Sequence, residues 1–177
     1  MKIPGKMILI AVLVPVLLSL PFFGYMWNLF MHIFGAILLM GNVVVTAVWA
    51  SLAKRDRRPD TVRFASRGIA LTDVIFTTPG VVLVFLNGGI LGTPYFKAGG
   101  SWMFVAIGLF LVSTTLWLAA LAPLQRRMLE IAEGIAGSDP VPEQWFDAGK
   151  KWFRLGGITT MLMLITLVLM VSKPTLW

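Results

Sequence analysis

The sequence predicts an all-α integral membrane protein, folded as an antiparallel bundle of about five transmembrane helices. Hydrophobic residues make up 58% of the chain and charged residues only 13%, and the mean hydropathy is +0.85. This is more apolar surface than the core of a soluble domain can bury. A length of 177 residues leaves room for about five spans of roughly 20 residues. We therefore expect one membrane domain over residues 1–177.

Five apolar segments can be separated along the chain. The first runs from Met7 to Gly24 behind two lysines, as in a signal peptide or a signal anchor. Because no small-x-small cleavage site follows it, we expect a retained N-terminal helix within residues 1–24. An amphipathic stretch at residues 143–154 is expected to lie at the headgroup level before the last span. The four-helix core is expected over residues 25–172, with spans at 27–53, 61–89, 102–124 and 155–171.

Lysine and arginine divide unequally between the two sides of this arrangement. One side holds only Lys97 and Lys173, and the other side holds the remaining thirteen of the fifteen basic residues. Cytoplasmic loops of membrane proteins carry such an excess. We therefore expect a bacterial cytoplasmic (inner) membrane protein with its N-terminus inside and its C-terminus outside. The positive charges behind the net charge of +7 are distributed as membrane orientation requires. The net charge therefore does not indicate nucleic-acid binding.

The second span carries the only histidine of the chain on a line of polar and small residues. Polar groups in hydrocarbon are costly unless they face protein or water. We therefore expect the line to face the inside of the bundle and His32 to be an interior residue. At helical spacings of three and four, the line consists of Asn28, His32, Gly35, Leu39, Asn42, Thr46 and Trp49.

The imidazole of His32 has several candidate roles. It could bind haem iron, bind copper or donate a hydrogen bond to a quinone, and the alternative is a histidine satisfied by a neighbouring helix. One histidine supplies one axial ligand, so a haem would need a methionine, a water or the same histidine of a second subunit opposite it. Gly35 and Asn42 complete the candidate cofactor site, since a glycine can admit a flat cofactor against the backbone. Helix packing is the alternative role of such a glycine.

Asp73 is the only carboxylate within a predicted span. It shares a helical face with Thr77 and Asn87, and Pro79 followed by Gly80 predicts a bend in the same helix. A carboxylate inside a membrane indicates proton transfer or cation binding. The alternative is a structural ion pair with an arginine that reaches in from the cytoplasmic side.

Two sequence segments carry a resemblance to known families. WNLFMHIFGAILLMGNVVVTAVWASLAKRDRRPD, followed by ALTDVIFTTPGVVL, resembles a bacterial family of predicted integral membrane proteins known only as a domain of unknown function. The resemblance covers Tyr25 to Ser172 and implies four spans, to which the N-terminal helix is an addition. More distantly, the helix with His32 and Gly35 resembles the first helix of HemJ-type protoporphyrinogen oxidases and of CopD-like copper-resistance proteins. The HemJ-type resemblance implies haem b bound by His32.

The inventory of reactive groups is small. There is no cysteine, which excludes disulfides, iron–sulfur clusters and thiolate zinc sites. No phosphate-binding loop, carboxylate pair or nucleophile–base set is present in the sequence. We expect a non-catalytic accessory or scaffold subunit of a larger membrane complex or a homo-oligomer. Two alternatives stay open: a redox protein that binds haem b or a quinone through His32, and a proton-coupled transporter that uses Asp73.

Overall fold

Five helices make up the part of the chain that the structure, a computed structural model, describes: residues 4–20, 23–137 and 139–176. No strand occurs in these ranges. The prediction of an all-α membrane bundle, with a four-helix core and an N-terminal helix, is therefore confirmed. The helices are α1 (Gly5–Leu18), α2 (Tyr25–Asp56), α3 (Pro59–Lys97), α4 (Ser101–Glu133) and α5 (Glu143–Ser172).

Helices α2 to α5 are each long and apolar enough to cross a membrane, with 32, 39, 33 and 30 residues. At 1.5 Å per residue they measure about 45 to 60 Å, which exceeds the roughly 30 Å of the hydrocarbon core. Helix α1 has 14 helical residues. It measures about 21 Å, which is shorter than the hydrocarbon core, and it packs against α3.

Helices α2 and α3 make the most extensive contact in the bundle, and they cross at two glycines. A Cβ atom added to Gly35 would lie 2.7 Å from Leu83 Cβ and 3.0 Å from the carbonyl oxygen of Gly80. One added to Gly80 would lie 2.9 Å from the carbonyl oxygen of Gly35. Only hydrogen fits at either position, and small residues of this kind let membrane helices approach closely. The crossing thereby sets which residues of α2 and α3 face each other further along.

The buried face of α2 departs from the predicted line at two positions. Met31 and Ala50 are buried, whereas His32 and Trp49 beside them are only half-buried. The other predicted residues of the line are buried, from Asn28 to Thr46. A line of alternating three and four steps averages 3.5 residues per turn and drifts around a helix of 3.6. His32 is therefore corrected from an interior residue to one at the edge of the contact between α2 and α3.

The largest cluster of buried apolar side chains joins α2, α3, α4 and the first turns of α5. Trp145 is 1% exposed, and its Nε1 atom donates a hydrogen bond to Ser66 Oγ at 3.1 Å. Residues 143–154, which were expected at the headgroup level, are a continuous part of α5, and Trp145, Phe146 and Trp152 are buried in the bundle. The amphipathic face of this stretch is therefore covered by neighbouring helices. The expected depth of the stretch stays a prediction.

Two π-helical turns interrupt the long helices at the same distance before a proline. Asp73–Thr77 forms such a turn in α3 and Trp117–Leu121 forms one in α4. In both, the carbonyl oxygen of the first residue accepts an N–H from five residues later. Pro79 and Pro123 each follow the first residue by six positions. Because proline lacks an N–H and its ring crowds the carbonyl four residues earlier, the preceding turn widens. The bend predicted at Pro79 is thus preceded by a widened turn that begins at Asp73.

The glycine crossing generates the first testable prediction. Gly35→Ala should lower the free energy of unfolding by about 1–3 kcal/mol, because the added methyl group forces α2 and α3 apart. Gly41→Ala in the same helix is the matched control, since nothing lies within 4 Å of a Cβ atom there. Denaturation of the purified proteins in mixed micelles measures both values. Equal stability of the two variants would contradict the assignment of Gly35 to the crossing.

Candidate functional site

Asp73 lies at the centre of a hydrogen-bonded group of side chains from α2, α3 and α4. Its Oδ1 atom accepts hydrogen bonds from Asn42 Nδ2 at 2.9 Å and from Thr77 Oγ1 at 2.8 Å. Its Oδ2 atom accepts a hydrogen bond from Trp117 Nε1 at 3.1 Å. Gln125 of α4 lies beside this group. These five residues, which we call the Asp73 cluster, tie three helices to one acidic side chain.

No positive charge balances Asp73 among the residues that the structure describes. Arg67 forms an ion pair with Glu133 at 2.6 Å, and Arg126 forms one with Glu130 at 2.9 Å. Asp73 is 9% exposed and lies about 9 Å beyond Arg67 along the axis of α3. The ion pair that the sequence left open is therefore not formed in the described structure. The acidic side chain is held by neutral hydrogen-bond donors instead.

A cavity of about 580 Å³ adjoins the Asp73 cluster, and all four long helices line it. Its walls are mostly apolar, and Asp73, Thr77, Trp117 and Gln125 lie at its polar end. Helix α2 packs mainly on α3, and α5 packs mainly on α4. This pairing leaves a gap between α2 and α5. The residues on both sides of the gap are exposed to the bilayer, among them Val44 and Val48 of α2 and Met161 and Leu164 of α5.

Three polar atoms of the cavity lining have no hydrogen-bond partner among the described residues. They are Ser113 Oγ, Thr114 Oγ1 and Trp152 Nε1, and all three are buried. A buried polar group without a partner costs about 1–3 kcal/mol, so most native structures avoid it. Because these three atoms have almost no accessible surface, their side chains would have to turn before a ligand or water in the cavity could supply the missing partners.

His32 lies apart from this cavity, at the crossing of α2 with the outer part of α3. Its Nδ1 atom is 3.0 Å from the carbonyl oxygen of Val84. A carbonyl can only accept, so Nδ1 carries the hydrogen and donates it. The ring edge packs against Gly88, where an added Cβ would lie 2.9 Å from His32 Cε1. One ring nitrogen is therefore satisfied by the protein, and Nε2 keeps its lone pair.

The residues singled out in the sequence separate into three places. Asn42, Thr77 and Asp73 come together in the Asp73 cluster, so Asn42 is not beside His32. Helix α3 fills the space beside Gly35. Asn87 is fully buried between α1 and α3, where its Nδ2 atom donates to Ser19 Oγ at 2.7 Å and to the carbonyl oxygen of Leu83 at 2.9 Å.

Sequence reasoning missed Trp117, which donates to Asp73, and Gln125, which lies nearby. Trp117 lies within the predicted apolar span 102–124, and Gln125 falls just beyond its end. The proline six residues after both Asp73 and Trp117 was the available signal, since it places a widened turn at each. Ser113 and Thr114 lie in the middle of the same span, but only the structure shows that they and Asp73 line one cavity.

The fold and the site define a polytopic helical membrane protein with an intramembrane carboxylate. The chain belongs to a family of predicted integral membrane proteins, designated DUF2269, whose family model matches residues 28–174. No curated protein and no solved structure matches the chain. The more distant resemblance to HemJ-type and CopD-like proteins is not shown by these comparisons.

The hydrogen bond from Trp117 generates the second prediction. Trp117→Phe should lower the free energy of unfolding by about 1–2 kcal/mol, because it removes a donor to a buried carboxylate. Trp152→Phe is the matched control, since it removes an indole N–H that has no partner in the described structure. Trp152→Phe loses ring volume in the apolar cluster but no hydrogen bond, so it should cost less than Trp117→Phe. A larger loss in Trp152→Phe than in Trp117→Phe would contradict the account.

Proposed function

We propose that this membrane protein binds a small ligand within the bilayer, in the cavity beside Asp73, and that this carboxylate is its charged anchor. The supporting observation is the combination in one cavity of an acidic group without a counter-ion and three polar atoms without partners. The cavity volume of about 580 Å³ falls within the roughly 300–1,000 Å³ of small-molecule sites.

The partners of Asp73 support a charged anchor. Trp117 Nε1 and the amide nitrogen Asn42 Nδ2 can only donate, and Thr77 Oγ1 already accepts the second hydrogen bond of Asn42 at 2.8 Å. Hydrogen bonds from such donors stabilise the ionised form of a carboxyl group. We therefore take Asp73 as a charged group and put cation binding before proton-coupled transport at this residue.

The accessory or scaffold role predicted from the sequence ranks behind ligand binding. The four long helices expose apolar side chains over much of their length, and contact with lipid alone requires such surfaces. A partner subunit is not needed to account for them. We retain the inner-membrane location with the N-terminus inside, which rests on the positive charge of one side and requires that α1 also crosses the bilayer. Two reporter fusions test this topology, one in the α2–α3 turn and one after α5. An outside location of the first or an inside location of the second would contradict it.

Haem b or a quinone at His32 is the second candidate. The observation in its favour is the hydrogen bond from Nδ1 to Val84 at 3.0 Å, because histidine ligands of metals commonly donate their other N–H to a carbonyl group. Nε2 would then be the ligand atom, and bound haem would supply one-electron redox chemistry. A haem b absorption band that is present in the wild type and absent in His32→Ala would support this function. Absence of the band from protein of haem-replete cells would reject haem b at His32.

The third prediction tests the cavity. The wild-type protein, purified in a mild detergent and studied by native mass spectrometry, should carry a bound small molecule. Its occupancy should fall at least about tenfold in Asp73→Asn, which corresponds to ~1.4 kcal/mol or more of binding free energy. Gly156→Leu should have the same effect, because Gly156 lines the cavity and nothing lies within 4 Å of a Cβ atom there.

Gly108→Leu is the control for the third prediction. Nothing lies within 4 Å of a Cβ atom at Gly108 either, but this glycine is exposed on α4 and is not among the lining residues. It should retain the bound molecule. Equal occupancy in all four proteins would place the molecule elsewhere and contradict the proposed function.

A further inference from the structure

We infer that the ligand of this cavity is an amphipathic cation, with one positive charge on an apolar body, and that it enters sideways from the bilayer between α2 and α5. The inference rests on the proposed function, since it names the ligand class of the same site. Three features of the described residues carry it: the charge at the polar end of the cavity, the apolar walls, and the position of the opening.

The charge at the polar end selects the sign of the ligand. Asp73 receives hydrogen bonds from neutral groups only, so its negative charge is spread but not cancelled. The field of an unpaired charge is strong where the surroundings are apolar. A monovalent cation in the cavity would be attracted to it, and an anion of the same shape would be repelled.

The walls of the cavity favour a ligand with an apolar body. The cavity lining is mostly apolar and includes the aliphatic side chains of Leu39, Val43, Val81 and Leu121. A hydrated inorganic ion would gain nothing from this surface and would lose its water. The aromatic rings of Trp117 and Trp152 lie in the same lining, and such rings attract organic cations through their faces.

The position of the opening indicates the route by which a ligand enters the cavity. At the cytoplasmic end, the cavity is bounded by the large apolar cluster that contains Trp145, Phe146 and Met128. At the side, the gap between α2 and α5 exposes lining residues to the bilayer. Gly156 and Gly157 lie on the α5 side of this gap, and a Cβ atom at either would meet nothing within 4 Å. A molecule dissolved in the hydrocarbon can therefore reach the cavity without crossing the apolar cluster.

Two ions of the same shape and opposite charge test the inference. Tetraphenylphosphonium is an apolar monocation, and tetraphenylborate is its anionic counterpart. Binding of each radiolabelled ion to the purified full-length protein in an uncharged detergent gives both affinities. The wild type should bind the cation at least about tenfold more tightly than the anion. Asp73→Asn should abolish this preference, Gly156→Leu should weaken binding of the cation, and Gly108→Leu should match the wild type.

Each outcome separates the inference from the function on which it rests. Equal binding of the two ions, or a preference for the cation that persists in Asp73→Asn, would overturn the assignment of a cationic ligand. If neither ion binds but a small molecule still co-purifies in a manner that depends on Asp73 and Gly156, the ligand class is wrong and the binding function stands. If neither ion binds and nothing co-purifies, both fail. Gel filtration and circular dichroism of each variant confirm that it is folded.

Discussion

The burial of one carboxylate among neutral donors is the constraint around which the middle of this bundle is built. A charge in hydrocarbon is costly, and side chains that donate hydrogen bonds to it reduce the cost. Asn42, Thr77 and Trp117 supply these bonds from three helices at 2.8 to 3.1 Å. Removing any of them leaves both a weaker helix contact and a less stable charge. Apolar side chains would pack the same space without the cost of a buried charge. The presence of the carboxylate is therefore more typical of a binding site than of a packing contact.

Two features of the backbone bring the donors to Asp73: a close helix crossing and two widened helical turns. The crossing of Gly35 with Gly80 brings α2 against α3, so that Asn42 meets Asp73 and Thr77 two turns further along. The π-helical turns then begin at Asp73 and at Trp117, the two residues that hydrogen-bond to each other. Widened turns of this type are frequent at functional sites. Here a widened turn begins at each of the two residues of one hydrogen bond. Helix packing alone does not require this arrangement.

Much of the fold could be predicted from the sequence because membrane helices follow simple rules of length and polarity. The four long helices, the interruption between α4 and α5, and most of the buried face of α2 follow from apolar length and helical spacing. The half-buried position of His32 did not follow, since the pattern could not tell which of His32 and Met31 is the more deeply buried. The packing of the aromatic start of α5 did not follow either. An amphipathic face is satisfied equally by headgroups or by neighbouring helices, and only the packed bundle shows that helices cover this one.

The site was less predictable than the fold, because it depends on register between helices distant in sequence. Asp73 and Thr77 were recognisable from their own helix, but the depth of Trp117 and Gln125 relative to Asp73 depends on a widened turn.

The central claim is that Asp73 is ionised inside the membrane. An infrared difference spectrum between the wild type and Asp73→Asn at neutral pH measures this directly. The account predicts the loss of carboxylate bands in the variant, whereas the loss of a protonated carboxylic-acid carbonyl band would contradict it.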